Sequence, residues 1–257
     1  MYTRLQRTVA VLYGVLCHAG FAAGIGAMMV GIYSGLSVGR GPFHGVEAVI
    51  ADLCLLIQFP VLHSFLLSPR GLGYLARLAP LRLGRDLSTT TYALISSVQL
   101  LLTFSLWSPL GGFRWEPHGV SAGVDTVLYA ASWLFLLRTM ADAGLGVQTG
   151  FLGWAAVARG HAPVFKPFVP RGTFRYVRQP IYLAFTLTLW TGPAWTPDHV
   201  LLAILWTGYC VFGPLLKEQR YTAYYGERFR RYCQLVPRWL PVLRPLDVQL
   251  LNHGGQS

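Results

Sequence analysis

Apolar residues in this chain gather into long windows broken by short polar connections. Windows of about 20 apolar residues are long enough to cross the hydrocarbon core of a bilayer. Six windows are present, over residues 8–34, 47–67, 88–108, 122–141, 180–196 and 199–216, and each predicts a membrane helix. Proline and glycine cluster between them, as in Gly39-Arg40-Gly41-Pro42, Ser68-Pro69-Arg70-Gly71, Ser108-Pro109-Leu110-Gly111-Gly112 and Pro193 to Pro197, which reads as turns. The turn from Thr191 to His199 is so short that the fifth and sixth helices must run antiparallel. After Leu216, the stretch Lys217 to Tyr232, rich in Tyr and Arg, predicts an amphipathic helix on the membrane face, ended by Pro237 and Pro241. Residues 144–178 form the longest unassigned stretch, and Phe151, Trp154, Phe165, Phe168 and Phe174 give it apolar content suited to an ordered loop.

Composition agrees. The 257 residues are 53% hydrophobic and 12% charged, with a mean hydropathy of +0.44, against about 25% charged residues in an ordinary soluble domain. The net charge of +11 is sorted by loop. All but three of the 21 Lys and Arg residues lie before the first span, between the second and third, between the fourth and fifth, or after the sixth. Arg138 leans the same way, leaving Arg40 and Arg114 opposite. Under the positive-inside rule this puts both termini and the two long loops in the cytoplasm, and a charge so sorted points to membrane orientation rather than nucleic-acid binding. The expectation is therefore an all-α polytopic membrane protein with about six transmembrane helices, a C-terminal amphipathic helix and cytoplasmic termini.

The first window follows Arg4 and Arg7 as a signal peptide would, but it exceeds the length of a signal h-region and a second span follows, so it reads as an anchor. Its Gly14, Gly20, Gly24 and Gly31 suit close helix packing. Cys17, Cys54, Cys210 and Cys233 are far apart and read mainly as small buried hydrophobes. His18, His44, His118, His161, His199 and His253 are scattered, with no transition-metal spacing.

The chemistry concentrates around the last two spans. Arg178-Gln179-Pro180-Ile181-Tyr182 opens the fifth helix, and Glu218-Gln219-Arg220 stands where the sixth apolar run ends. A hairpin returns to the side it started from, so these polar groups should meet at one opening. Ionisable groups at membrane depth are costly and mark function by default. Taken singly, Pro at a helix start and an exposed ion pair are ordinary; bracketing one hairpin, and followed by Tyr225-Gly226, Phe229, Tyr232, Val236-Pro237 and Leu240-Pro241, they form a specific pattern.

This pattern resembles the isoprenylcysteine carboxyl methyltransferase-like superfamily of integral-membrane methyltransferases, whose signature is Arg-His-Pro-x-Tyr, a hairpin, an acidic motif and a Tyr-Gly…Tyr…Pro tail. His63-Ser64, Arg85 with Ser88 to Tyr92, Trp107 with Pro109, Asp142 with Gly146 and Gln148, and Trp190 to Thr196 look like the pattern of bacterial methanethiol S-methyltransferases. The resemblance spans most of residues 50–241. It implies a single membrane domain over 1–257, with a four-helix part over 1–142 and a cofactor-binding loop, hairpin and amphipathic helix over 143–241. It also implies an integral protein of a bacterial inner membrane whose site opens to the cytoplasm.

What the resemblance implies for the site is S-adenosylmethionine held by Arg178, Gln179, Pro180 and Tyr182, with Glu218 and Arg220 closing the pocket and Tyr176 beside it; Gln148 is either part of the cofactor wall or a helix–loop hydrogen-bonding residue. An Arg fork suits the cofactor's carboxylate, and Tyr176, Tyr182 and Tyr221 offer aromatic faces to its sulfonium. Gln179 stands where the family has His; it keeps hydrogen bonding but cannot titrate. His63 is either a structural residue or the group that contacts the acceptor and removes its proton. Asp142 either pairs with Arg138 one turn back or contacts the acceptor, and Glu218 is the third candidate catalytic group. Arg85 is a further candidate at the cofactor, beside Ser88 as an N-cap, and Trp107, Trp115, Trp190 and Trp195 read as interface anchors.

The implied activity is methyl transfer to a small thiol, turning methanethiol into dimethyl sulfide, with membrane lipid as surroundings. Two other readings stay open. One is a methyltransferase for a prenylcysteine carboxylate or other lipid acceptor. The other is a non-catalytic binding or assembly protein that keeps the fold. Ionisable residues gathered at one face, with none forming a midplane path, disfavour a transporter.

Overall fold

The structure, a computed structural model, describes residues 2–251; His253 lies outside them. Among the described residues it is all-helical. The long elements are α1 (Arg4–Tyr33), α2 (Gly45–Leu66), α3 (Pro69–Leu78), α4 (Ser88–Ser105), α5 (Val120–Ala143), α6 (Leu145–Gln148), α7 (Phe151–Ala158), α8 (Pro180–Trp190), α9 (Pro197–Tyr225) and α10 (Glu227–Leu235).

All six expected apolar windows are helical, but they are not equivalent. Four helices, α1, α2, α5 and α9, are long and apolar enough to cross a membrane by length and composition. The third window is α4, whose Thr90, Thr91, Ser97, Gln99 and Thr103 are buried against the other helices. Those polar groups act as glue: Gln99 Nε2 donates to Gln58 Oε1 at 2.7 Å, and Gln58 Nε2 donates to Thr103 Oγ1 at 3.0 Å. The fifth window is cut short. α8 has 11 residues, a rise of about 16 Å at 1.5 Å per residue, and residues 191–196 continue as irregular chain through Gly192 and Pro193.

α1 packs chiefly on α4, and the expected small-residue face is the reason. A Cβ on Gly24 would run into the Ser97 carbonyl, and one on Gly31 into the Phe104 ring, so the absent side chains let the backbones meet. The core continues through Ile32, Leu56, Phe59, Trp107, Leu189 and Trp206. Cys17 and Cys210 are buried as expected, while Cys54 faces outward. Trp107 is buried and donates through Nε1 to Asp198 Oδ1 at 2.7 Å, so it ties the connection after α4 to α9 instead of anchoring at an interface. Trp115 and Trp190 are exposed. Ser88 does not cap α4: its hydroxyl donates back to the Arg85 carbonyl at 2.9 Å, and Leu87 takes the N-cap place.

The boundary after the sixth window also moves. α9 runs unbroken to Tyr225, and the chain turns only at Gly226, with φ 60° and ψ −135°, before α10. The amphipathic stretch is thus the end of α9 plus a separate short helix. The 144–178 loop is ordered, as expected: α6 and α7 sit within it, and Trp154 of α7 packs over Gly14 and donates to His18 Nε2 at 3.1 Å.

Candidate active site

Gln179 is the N-cap of α8 and Pro180 its first residue, where proline's fixed φ and missing N–H cost nothing. The antiparallel hairpin brings the last third of α9 against this cap. Gln179 is 1% exposed, and its amide makes two bonds: Nε2 donates to Glu218 Oε1 at 2.8 Å, and Oε1 accepts from Lys217 Nζ at 3.1 Å. A neutral imidazole also offers one donor and one acceptor. The amide therefore reproduces the hydrogen-bonding pattern a neutral histidine could supply here, without titration.

Glu218 is the hub. Arg238 donates to it from Nη2 at 2.8 Å and from Nε at 3.3 Å, and Arg178 Nε stands 3.8 Å from Oε1. Sequence reasoning missed Arg238, which lies 20 residues beyond its partner; its one signal was its place next to Val236-Pro237. The tail that carries it is strapped to the segment before α8. Arg178 N donates to the Pro237 carbonyl at 2.9 Å, Val242 N to the Tyr176 carbonyl at 3.0 Å, and Tyr232 Oη to the Phe174 carbonyl at 2.7 Å. Burial raises the Tyr232 hydroxyl above the ordinary tyrosine range, which keeps it a neutral donor. Beside Glu218 and Arg238 opens a cleft of about 550 Å³, lined also by Gln219, Thr222 and Arg230, within the roughly 300–1,000 Å³ typical of ligand sites.

Lys217, also missed, lies among three rings: its Nζ is 5.7 Å from the Phe174 centroid, 5.6 Å from Tyr182 and 5.5 Å from Tyr221. Tyr182 and Tyr221 therefore stand beside the Gln179–Glu218 cluster. Tyr176 is not in this ring of aromatics; its side chain is 38% exposed, and Phe174 takes the place.

Glu218 and Arg220 do not close one pocket together. Two residues along an α-helix are about 200° apart in rotation, so the pair faces opposite ways. Glu218 meets Gln179, Arg178 and Arg238. Arg220 shares a face with Tyr209, and its charge reaches His63, Tyr92, Tyr182 and Tyr209. Among the described residues Arg220 has no ion-pair partner.

His63 lies on that second face. Its Nε2 is 2.5 Å from the Tyr92 hydroxyl and its Nδ1 is 3.2 Å from Ser96 Oγ. Tyr209 packs edge-on to Tyr182, with centroids 6.2 Å apart, so Tyr182 adjoins both this face and the Lys217 cage. Asp142 is elsewhere: it pairs with Arg138 Nη2 at 3.1 Å and accepts from Thr173 N at 2.8 Å. It fastens the approach to Arg178 onto α5. Gln148 ends α6, which packs on α4, α5 and α7, and no side-chain hydrogen bond joins it to the cluster. Arg85 gives its carbonyl to Ser88. Among the described residues no group of three His, Cys, Asp or Glu side chains is placed to hold a metal ion.

No family model matches the chain, and no solved structure does. Curated relatives do. Methanethiol S-methyltransferase 1 of Bradyrhizobium diazoefficiens is 29% identical over 252 residues, covering 93% of this chain and 84% of the relative. Methanethiol S-methyltransferase of Mycobacterium tuberculosis is 27% identical over 249 residues, covering 92% and 98%. Nurim of Rattus norvegicus is 24% identical over 196 residues, covering 73% and 72%. The chain is thus a homologue of proteins named methanethiol S-methyltransferase and of nurim, consistent with the isoprenylcysteine carboxyl methyltransferase-like family.

Proposed function

We propose that this protein is an S-adenosylmethionine-dependent methyltransferase acting on a small thiol, with methanethiol as acceptor and dimethyl sulfide as product. Relatives named as methyltransferases support a methyltransferase, and four apolar helices suggest an integral membrane protein. The cofactor, the acceptor, a bacterial inner-membrane location and a cytoplasmic opening are the finer parts of the proposal.

The observation that carries it is the buried junction of Gln179, Glu218, Arg178 and Arg238 next to three aromatic faces. Its donor set fits the cofactor. Arg178 Nε is buried without a hydrogen-bond partner and stands 3.8 Å from Glu218 Oε1, so its guanidinium brings to the junction a charge suited to a carboxylate. Glu218 suits an ammonium or ribose hydroxyls, and the rings suit a sulfonium. When bound, S-adenosylmethionine supplies an electrophilic methyl carbon.

Beside Tyr182, Tyr92 and Ser96 engage both ring nitrogens of His63, so His63 would take the thiol proton at Nε2 or Nδ1 by exchanging one of these hydroxyl partners for the thiol. Arg220 would offset the charge of the thiolate. Arg178, Glu218 and the rings of Phe174, Tyr182 and Tyr221 would hold the cofactor and present its methyl carbon to the thiolate, with a neutral thioether as the leaving group. The residues contribute alignment and water exclusion, with no covalent step on the protein.

The test is methyl transfer from labelled S-adenosylmethionine by the purified protein in detergent, offered methanethiol beside a prenylcysteine analogue. Label in the volatile thioether, lost in Glu218→Ala, is expected. Label in the prenyl product would move the acceptor to a lipid, and no transfer with no cofactor binding would end the proposal.

A further inference from the structure

The three rings around Lys217 form a cation seat that is already filled by the chain itself. Three aromatic faces stand at nearly equal distances of 5.5 to 5.7 Å from one ammonium, inside the roughly 6 Å range of cation–π attraction. Two of them, Tyr182 and Tyr221, flank Lys217 from α8 and from one turn further along α9; the third, Phe174, comes from the segment strapped by the tail. Such a seat is selective for charge: it attracts an onium group and is nearly indifferent to the neutral thioether left after the methyl group departs. It is also too small to hold two cations without strong repulsion.

We propose that the Phe174–Tyr182–Tyr221 cage is the seat of a sulfonium ligand and that Lys217 is its resident occupant. Lys217 leaves when the sulfonium enters and returns when that centre becomes neutral. This inference rests on the methyltransferase reading. Lys217, which also donates to Gln179 Oε1 at 3.1 Å, yields toward Glu218, its neighbour in sequence, and toward the cleft that Glu218 lines. Methyl transfer removes the competing charge, because the electron pair of the broken carbon–sulfur bond stays on the cofactor's sulfur. Lys217 then regains the rings, and the neutral product loses its hold. The lysine thereby favours product release at the expense of cofactor affinity. A site populated by its own side chain about nine-tenths of the time weakens a competing ligand by roughly tenfold.

The experiment uses the full chain in detergent and two readouts. Binding of S-adenosylmethionine and S-adenosylhomocysteine is measured by calorimetry for the wild type and for Lys217→Met. Tighter sulfonium binding by about tenfold in the variant, with the thioether changed less than about threefold, is expected from the occupancy argument. The second readout needs no substitution. The chain has two lysines, Lys166 and Lys217, and Lys166 is exposed, so it serves as an internal reference for amine acylation read by mass spectrometry. Acylation of Lys217 relative to Lys166 should rise when S-adenosylmethionine is added and not when S-adenosylhomocysteine is added. Weaker sulfonium binding in Lys217→Met, or protection of Lys217 by S-adenosylmethionine, would overturn the inference and make Lys217 a direct ligand of the cofactor. A wild type that binds neither compound sinks the methyltransferase reading as well, so the two failures are distinct.

Discussion

Replacing Gln179 by leucine keeps the volume of the side chain and removes both of its polar contacts. The lost bonds are those to Lys217 Nζ at 3.1 Å and Glu218 Oε1 at 2.8 Å. Hydrogen bonds to charged groups contribute about 1.5–3 kcal/mol each, so the pair is worth roughly 3–6 kcal/mol if neither ion can compensate. Both can in part. Glu218 keeps the two-pronged Arg238 contact and Lys217 keeps its rings, which favours the lower end, about 3 kcal/mol. For a chain of this size about 2–4 °C of melting temperature follows each kcal/mol, so Gln179→Leu should unfold about 6–12 °C lower. Gln179→His restores one donor and one acceptor as the neutral imidazole and should cost less than about 1 kcal/mol, or about 3 °C. The assay is unfolding in one detergent at one scan rate, followed by tryptophan fluorescence, with cofactor binding measured on the same samples. If histidine is as damaging as leucine, or if leucine shifts the transition by less than about 2 °C, the amide is not acting as a donor–acceptor bridge.

Two further substitutions test other parts of the argument. Asp142→Asn keeps an acceptor for the Thr173 amide and loses only a pair with an Arg138 that is 65% exposed, so it should cost under about 1 kcal/mol and leave methyl transfer largely intact. Asp142→Ala strands the Thr173 N–H and should cost about 1–3 kcal/mol, while an inactive but fully stable Asp142→Asn would give this acid a chemical role. Gly24→Ala places a methyl group against the Ser97 carbonyl and should destabilise the α1–α4 contact by about 1–3 kcal/mol, read as a lower melting temperature; an unchanged transition would mean the helices do not meet there.

Hydropathy located every long helix because burial in lipid demands an unbroken apolar run, and the small residues of α1 announced its partner face. It misplaced two ends. α8 stops at Trp190 because Gly192 and Pro193 follow, though the apolar run continues. α9 carries on past Leu216 because Lys217 and Glu218 find partners without leaving helical geometry. The cluster itself was half legible. Arg178, Gln179, Tyr182 and Glu218 announced themselves by position, and the Asp142–Arg138 pair by its spacing. Arg238, Lys217 and Phe174 joined through tertiary strapping that no local spacing encodes. Grouping Glu218 with Arg220 was a matter of phase: adjacent in sequence space, they look to different sides of one rod.

That rod sets a tolerance on length. α9 is held at one end by Asp198, which accepts from Trp107 and from Leu110 N at 3.0 Å, and it presents Glu218 to Arg238 near the other, about 30 Å away at 1.5 Å per residue. One residue inserted between these points would advance the far end by about 1.5 Å and spin it by about 100°. Lys217 would then be carried away from Phe174 and Tyr182, and Glu218 off its arginines. The helix works as a ruler with a marked face, so substitutions along its middle should be far better tolerated than a single insertion or deletion.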